Sequence, residues 1–179
     1  MGFFDRFRKK KTHMNIEKAA QEILATAIYN VEEFLDSNLP DITERLHLNL
    51  GDFNNDYLRT ELCFACVWTA VKVLSLGGDS SDLTDAIEEQ FIGIIHGEER
   101  DNSTIALVYR FDRYTEAWDD DSKENQSIFC LNILSFMFNA GVIDANLKEF
   151  LGGVPILNLF ILRTMSNVLT IRKQIKITD

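Results

Sequence analysis

Apolar residues recur at three- and four-residue steps along most of this chain. Between Ile16 and Ser37, the positions Ile16, Ala20, Ile23, Ala27, Val31 and Phe34 form one stripe, and Glu17, Lys18, Glu22 and Glu32 fall away from it. That spacing predicts an amphipathic helix. Pro40 closes the connection that follows. Asp41, with Glu44 three residues later, reads as the reciprocal N-terminal cap of a short helix that stops before Gly51. The stretch "NDYLRTELCFACVWTAVKVLSLGG" is apolar on most sides from Leu62 to Val73. It predicts a central helix, about 56–76, with little exposed face, ended by Gly77 and Gly78.

Ser80 or Ser81 is placed to cap the next helix, which carries Leu83, Ile87, Phe91, Ile94 and Ile95 and stops at Gly97. A helix from about Asn102 to Trp118 comes next. Its "TIALVYRF" alternates at Ile105, Leu107, Tyr109 and Phe111 as a strand would, but no second convincing strand exists to pair with it. "ENQSIFCLNILSFMFNAG" gives a further helix, Asp144 caps a short one, and Pro155 suits the first turn of a last long helix to about Ile175. The pattern predicts an all-α fold, a single-domain irregular bundle of seven to eight helices around the buried helix at about 56–76. Residues 1–13 form a basic, aromatic N-terminal tail, and 14–179 the helical domain.

Composition agrees with one domain that has a real core. The chain has 179 residues, 46% apolar and 26% charged, with thirteen phenylalanines and only two prolines. Three cysteines, two of them in an apolar run, suit reduced buried thiols in a cytoplasm better than a disulfide framework. No apolar run of the kind found in a signal sequence follows the basic N-terminus. "VPILNLFILRTM" carries Asn158 and Arg163 and is short for a membrane span.

The chemical motifs are weak. Cys63 and Cys66 form a C-x-x-C, but they lie mid-helix among apolar neighbours, without the strand and helix N-terminus of a redox site or the further ligands of a zinc site. Glu44 and His47 make one E-x-x-H, and a di-iron bundle needs two. "DFNND", Asp52 to Asp56, begins like a calcium loop, but Tyr57 stands where its glycine belongs and Cys63 where its glutamate belongs. A loop and helix cap explain the same letters. Phosphate-cradling glycine motifs are missing. No catalytic residue, metal ligand or cofactor is therefore predicted.

Charge is more informative. Between Asp79 and Glu124 fourteen acids face four bases, a net of −10 that equals the whole chain's total. Such a segment repels nucleic acid and attracts a basic protein. Inside it, "VYRFDRYTEAW" places Leu107, Phe111, Tyr114 and Trp118 on one broad helical side, with Arg110 beside Tyr114. Tyr109 lies one turn before Arg113, within reach of Glu116. Two readings stand: a half-buried helix whose arginines cover aromatic rings, or an interface anchored by Tyr, Trp and Arg. The partner-binding candidates are Tyr109, Arg113, Tyr114, Trp118, Asp119, Asp120, Asp121, Glu88 and Glu89.

Residues 1–12 hold Arg6, Arg8, Lys9, Lys10 and Lys11 against Asp5, a net of +4, and Phe3, Phe4 and Phe7 fall on one side of a helix. That is the makeup of a small interfacial anchor. Its charge supplies roughly 4 kcal/mol at an anionic surface, only millimolar affinity alone. Arg6 stands where acylation of Gly2 needs Ser or Thr. The membrane-contact candidates are Phe3, Phe4, Phe7, Arg8, Lys9, Lys10 and Lys11. The cluster Arg172, Lys173 and Lys176 is assigned to offsetting a helix dipole.

Three functional classes follow in order. The first is a non-enzymatic, cytoplasmic interaction or regulatory module, inhibitor- or immunity-like, that offers an acidic helical surface to a basic protein. The second is a peripheral membrane protein using the tail. The third is a metal-dependent helical enzyme built on Glu44 and His47.

Overall fold

The computed structural model describes residues 11–96, 100–119, 125–139 and 147–178. In chain order these form β1 (Thr12–Met14), α1 (Ile16–Ile28), α2 (Val31–Ser37), α3 (Leu39–Arg45), α4 (Asn55–Leu76), α5 (Ser81–His96), α6 (Arg100–Asp119), α7 (Asn125–Asn139), α8 (Val154–Gln174) and β2 (Ile175–Ile177), with 3-10 turns at Leu50–Asp52 and Leu147–Gly153. The fold is an all-α bundle with one small two-stranded sheet.

Helix α4 is the post around which the rest assembles. It packs on α1, α2, α5, α6, α7 and α8, and Leu58, Leu62, Phe64, Ala65, Cys66, Val67, Trp68 and Ala70 are buried along it. A helix enclosed by so many others needs apolar residues on nearly every side, which is why it shows no amphipathic stripe. Asn54 starts it, its side chain accepting hydrogen bonds from the amides of Asp56 (2.8 Å) and Tyr57 (3.2 Å). The calcium-like loop is thus a helix cap: Asn49 likewise accepts from Gly51 and donates to Asp52, and Asp56 pairs with Arg59.

Two left-handed residues stop helices. Gly78, at φ 81°, ends α4; its amide reaches Ser75 O and that of Asp79 reaches Leu74 O. His47, at φ 56°, ends α3 in the same way, with its amide on Glu44 O and that of Leu48 on Thr43 O. Both are Schellman turns, and glycine is the usual residue at that position. His47 adopts there a conformation that L side chains resist.

The expected helix over residues 16–37 is two helices. Asn30, at φ −95° and ψ 5°, breaks it, yet the apolar stripe continues across the break, so that Ala27, Val31 and Phe34 are all buried. The expected capping box at Asp41 and Glu44 is absent, because α3 begins two residues earlier at Leu39, with Pro40 in its first turn. Residues 102–118 are helical rather than extended, as expected. Gly153 lets the start of α8 approach α3 and α7: a Cβ there would lie 3.0 Å from Ile42 and 3.1 Å from Leu134.

The last helix ends at Gln174, and the chain continues as β2, which pairs in parallel with β1 in the register Thr12–Ile175, His13–Lys176, Met14–Ile177. This pair contradicts the expectation that no strand would form. Three-residue strands are too short to leave a period-two pattern, and parallel partners at opposite chain ends carry no turn signal between them. The boundary placed between residues 13 and 14 falls inside β1. Among the described residues one helical segment, Phe150–Gln174, is long and apolar enough to cross a membrane by length and composition. It is longer than the stretch read from the sequence because the helix runs on past Met165. Leu157, Ile161, Thr164 and Val168 bury its inner side in the bundle.

Replacing His47 by glycine removes the left-handed penalty. His47→Gly is expected to stabilise the fold by about 0.5–1 kcal/mol, seen as a rise of about 1–4 °C in the thermal midpoint. An unchanged or lower midpoint would show that the imidazole contributes more than its backbone strain costs.

Candidate interaction surface

Helix α6 carries most of the predicted partner residues, and what fixes its position is a buried ion pair. Glu61, on α4, has a side chain only 1% exposed, and that of Arg110 is 14% exposed. Arg110 Nε donates to Glu61 Oε2 at 2.7 Å, and a terminal guanidinium nitrogen donates to Oε1. The same guanidinium lies 4.5 Å from the ring centre of Phe64 and 5.3 Å from that of Phe136. The pair is bidentate and its guanidinium lies over two aromatic rings, a geometry that compensates a buried charge well.

Two phenols flank this pair. Tyr57 donates its hydroxyl to Phe136 O at 2.8 Å. Burial, and then the nearby Glu61 carboxylate, push its pKa up to about 12. Tyr114 is fully buried, its hydroxyl meets no hydrogen-bond partner among the described residues, and burial holds that group well above the ordinary phenol range. Both phenols therefore stay neutral around a single compensated charge pair.

Tyr114 must be corrected as a partner-binding candidate. It has 0% exposure and packs edge-on against Phe129, Phe136 and Trp68. The side shared by Leu107, Tyr114 and Trp118 is the inner side of α6. Trp118 is half-buried against Trp68 and Phe129, and Trp68 Nε1 donates to Thr115 at 3.1 Å. The reading in which arginines cover aromatic rings holds: Arg110 covers Phe64 and Phe136, and Arg113 lies 5.9 Å from the Tyr109 ring.

The outer side of α6 is different. Ile105 (68% exposed), Val108 (50%) and Tyr109 (43%) form one apolar strip. It runs directly into Asp112, Glu116 and Asp119, all exposed. Arg113 donates to Glu116 at 3.1 Å at the edge of the strip. The sequence reading kept Tyr109, Arg113 and Asp119 but missed Ile105 and Val108, whose signal was their position opposite the inner stripe at 107, 111, 114 and 118.

The acids of 79–124 do not all remain uncompensated. Lys72 Nζ meets Asp119 at 2.7 Å, and Arg172 meets Asp79 with Nε at 2.7 Å. Both bases come from outside the segment. Glu88 and Glu89 sit on α5, where Glu88 is half-buried and Glu89 exposed. Burial and the adjacent Asp85 raise the Glu88 pKa. Asp120 and Asp121 lie outside the described residues, as do Phe3, Phe4, Phe7, Arg8, Lys9 and Lys10; Lys11 is described and exposed.

Glu44 and His47 are both exposed at the end of α3, and among the described residues no three His, Cys, Asp or Glu side chains gather as a metal site requires. The three cysteines are free. Burial pushes the Cys63 thiol up to about 11 and the Cys130 thiol up to about 12, and raises that of Cys66 as well, the state of inert core thiols.

Two outcomes follow. Arg110→Met leaves the Glu61 carboxylate buried without its partner, so unfolding by urea is expected to show a loss of about 3–5 kcal/mol. Adding Glu61→Met to that variant should recover most of the loss, and equal instability of the single and double variants would refute the pair's role. For Glu88, a folded pKa above the unfolded value means that its stability contribution is present below the unfolded pKa and lost as pH rises through the folded one. Glu88→Gln is therefore expected to raise the thermal midpoint at neutral pH, and the advantage should vanish in acid; a gain that persists in acid would contradict it.

No family model matches this chain, and neither the curated proteins nor the solved structures contain a match to it.

Proposed function

We propose that the chain is a non-enzymatic interaction module, regulatory in kind and inhibitor- or immunity-like, that offers the outer side of α6 to a basic protein. One observation carries this reading. Ile105, Val108 and Tyr109 are exposed beside Asp112, Glu116 and Asp119 on a single helical face. An apolar centre with a charged rim is the anatomy of a protein interface, and Tyr with a neighbouring Arg is a frequent anchor. Arg113 and Lys72 offset Glu116 and Asp119, so what acidity remains around the strip, with Asp112 beside it, favours a partner with basic residues around an apolar contact. A mobile or loosely packed helix makes a poor docking face; α6 is held from behind by the Glu61–Arg110 pair and the Trp68–Trp118 contact. Three free, high-pKa thiols suit a reducing cytoplasm.

The immobilised full chain is expected to retain a basic protein at low ionic strength and to release it as salt rises over about 0.05–0.5 M. Tyr109→Ala and Val108→Asp should each weaken that complex by about tenfold or more; Val108→Asp should leave the thermal midpoint nearly unchanged, whereas Tyr109→Ala also removes an edge contact with Phe136 and should lower it modestly. Retention indifferent both to salt and to these substitutions would eliminate this face as the docking site.

A further inference from the structure

Helix α8 is apolar on two sides. Leu157, Ile161, Thr164 and Val168 face the bundle. On the opposite side Leu159 is 70% exposed, Leu162 45% and Leu169 38%, with the exposed Ser166 among them. Positions 159, 162, 166 and 169 follow one another in steps of three, four and three residues, the spacing of a helix–helix seam. A surface helix ordinarily carries one apolar stripe, against the core, so the second stripe is apolar surface without a cover. Only 33% of the most apolar stretch of Phe150–Gln174 is buried in the bundle. One flank of the seam is charged: Arg163 meets Glu33 of α2 at 3.2 Å, with both side chains more than half exposed. One turn further along α8, Asn167 lines a small cleft with Glu22 and the exposed Tyr29.

We infer that this face is a self-association surface, and that its occupant is α8 of a second copy of the chain, antiparallel across a two-fold axis. A two-fold interface must be self-complementary, because whatever one copy offers the other receives in both directions. The seam meets that condition in packing. Positions 159 and 169, and likewise 162 and 166, are centred on 164. With the axis at that level, Leu159 falls opposite Leu169 of the other copy, and Leu162 opposite the small Ser166. The flank meets the condition in charge. Arg163 is one position from the axis, so each copy's Arg163 comes within reach of Glu33 of the other, and two exposed ion pairs merge into a network of four charges. A bilayer suits this face less well, because Glu22 and Glu33 lie along it, and carboxylates are costly against lipid and repelled by anionic headgroups. A partner of a single charge sign would match only one member of the Glu33–Arg163 pair. The face is about 31 Å long and about 10 Å wide, less than the roughly 800 Å² per copy of a standard interface. The dimer is therefore weak, with a dissociation constant of about 10–100 µM. It shares no residue with the outer side of α6.

The test is sedimentation equilibrium of the full chain from about 1 to 500 µM, a span that brackets this constant. The weight-average mass is expected to rise from that of one chain toward that of two. Leu159→Glu, at an exposed position, should weaken association at least tenfold, and an unchanged circular dichroism spectrum confirms that the fold is retained. Glu33→Arg and Arg163→Glu should each associate more weakly than the parent, because both copies then bring like charges to the axis. An equimolar mixture of these two variants should recover association, since an all-positive flank then meets an all-negative one. The pair is exposed, so neither change threatens the fold. Val108→Asp should leave the mass curve unaltered, which separates this face from the α6 surface. The inference is overturned if the parent keeps the mass of one chain at the highest concentration, if Leu159→Glu associates like the parent, or if the mixed charge variants associate no better than either alone. It is equally overturned if the parent floats with phosphatidylcholine vesicles and Leu159→Glu abolishes that flotation, because a bilayer then covers the seam.

Discussion

The Glu61–Arg110 pair is the constraint on which the rest of the arrangement depends. A carboxylate in the middle of an enclosed helix is costly to bury, and only a partner with matched geometry offsets that cost. Arg110 supplies it from α6, with two nitrogens on two oxygens and the rings of Phe64 and Phe136 close to its guanidinium. The requirement fixes the rotation of α6 about its own axis. With Arg110 turned toward α4, Leu107, Tyr114 and Ala117 are driven into the core, and Ile105, Val108 and Tyr109 must face outward. A wholly apolar contact would be at least as stable, but it would tolerate a rotated or shifted helix more readily. The exposed apolar strip is thus a consequence of the buried charge: if the pair sets the rotation, the strip's position is specified rather than accidental.

A second constraint closes the molecule at its ends. Gly78 turns the chain so that Asp79 comes to lie beside the end of α8, where it takes the guanidinium of Arg172. Arg172 also holds Ile175 O, at the point where α8 gives way to β2. The strand then reaches β1, and Thr178 N donates to Met14 O at 3.0 Å. One left-handed glycine, one ion pair and one short ladder thereby tie residues 12–14, 79 and 172–178 together. Chain termini ordinarily fray unless they are tied down in this way.

The helices were legible because burial imposes a period on sequence, and that period survives local interruptions. The stripe from Ile16 to Phe34 crosses the break at Asn30 because burial, not hydrogen-bond continuity, placed those residues. Helix α4 was recognisable by the opposite sign, an absence of any polar face. Pairings that join distant parts of the chain left no such trace. Glu61 was one more acid in a long helix, and Arg110 one more base in an acidic segment, until the fold brought them together over 49 residues of sequence. Tyr114 was misread for the same reason: aromatic residues with arginine neighbours look alike in sequence whether they form a core or an interface, and only the rotation of α6 decides between them. The strands at the two ends were invisible because three residues are too few for a period.

Charge shows how far such pairings change a reading made from composition. Summed along the sequence, residues 79–124 look like one acidic block, and residues 172–176 like the counter-charge of a helix end. In the folded chain, Arg172 and Lys72 withdraw Asp79 and Asp119 from the block, and the β1–β2 pairing sets Lys176 opposite His13. β2 packs against β1, α1 and α8, whereas α6 packs chiefly on α4, α5 and α7. With interactions screened beyond about 8 Å at physiological ionic strength, each surface responds to its own local charges and not to the total of −10.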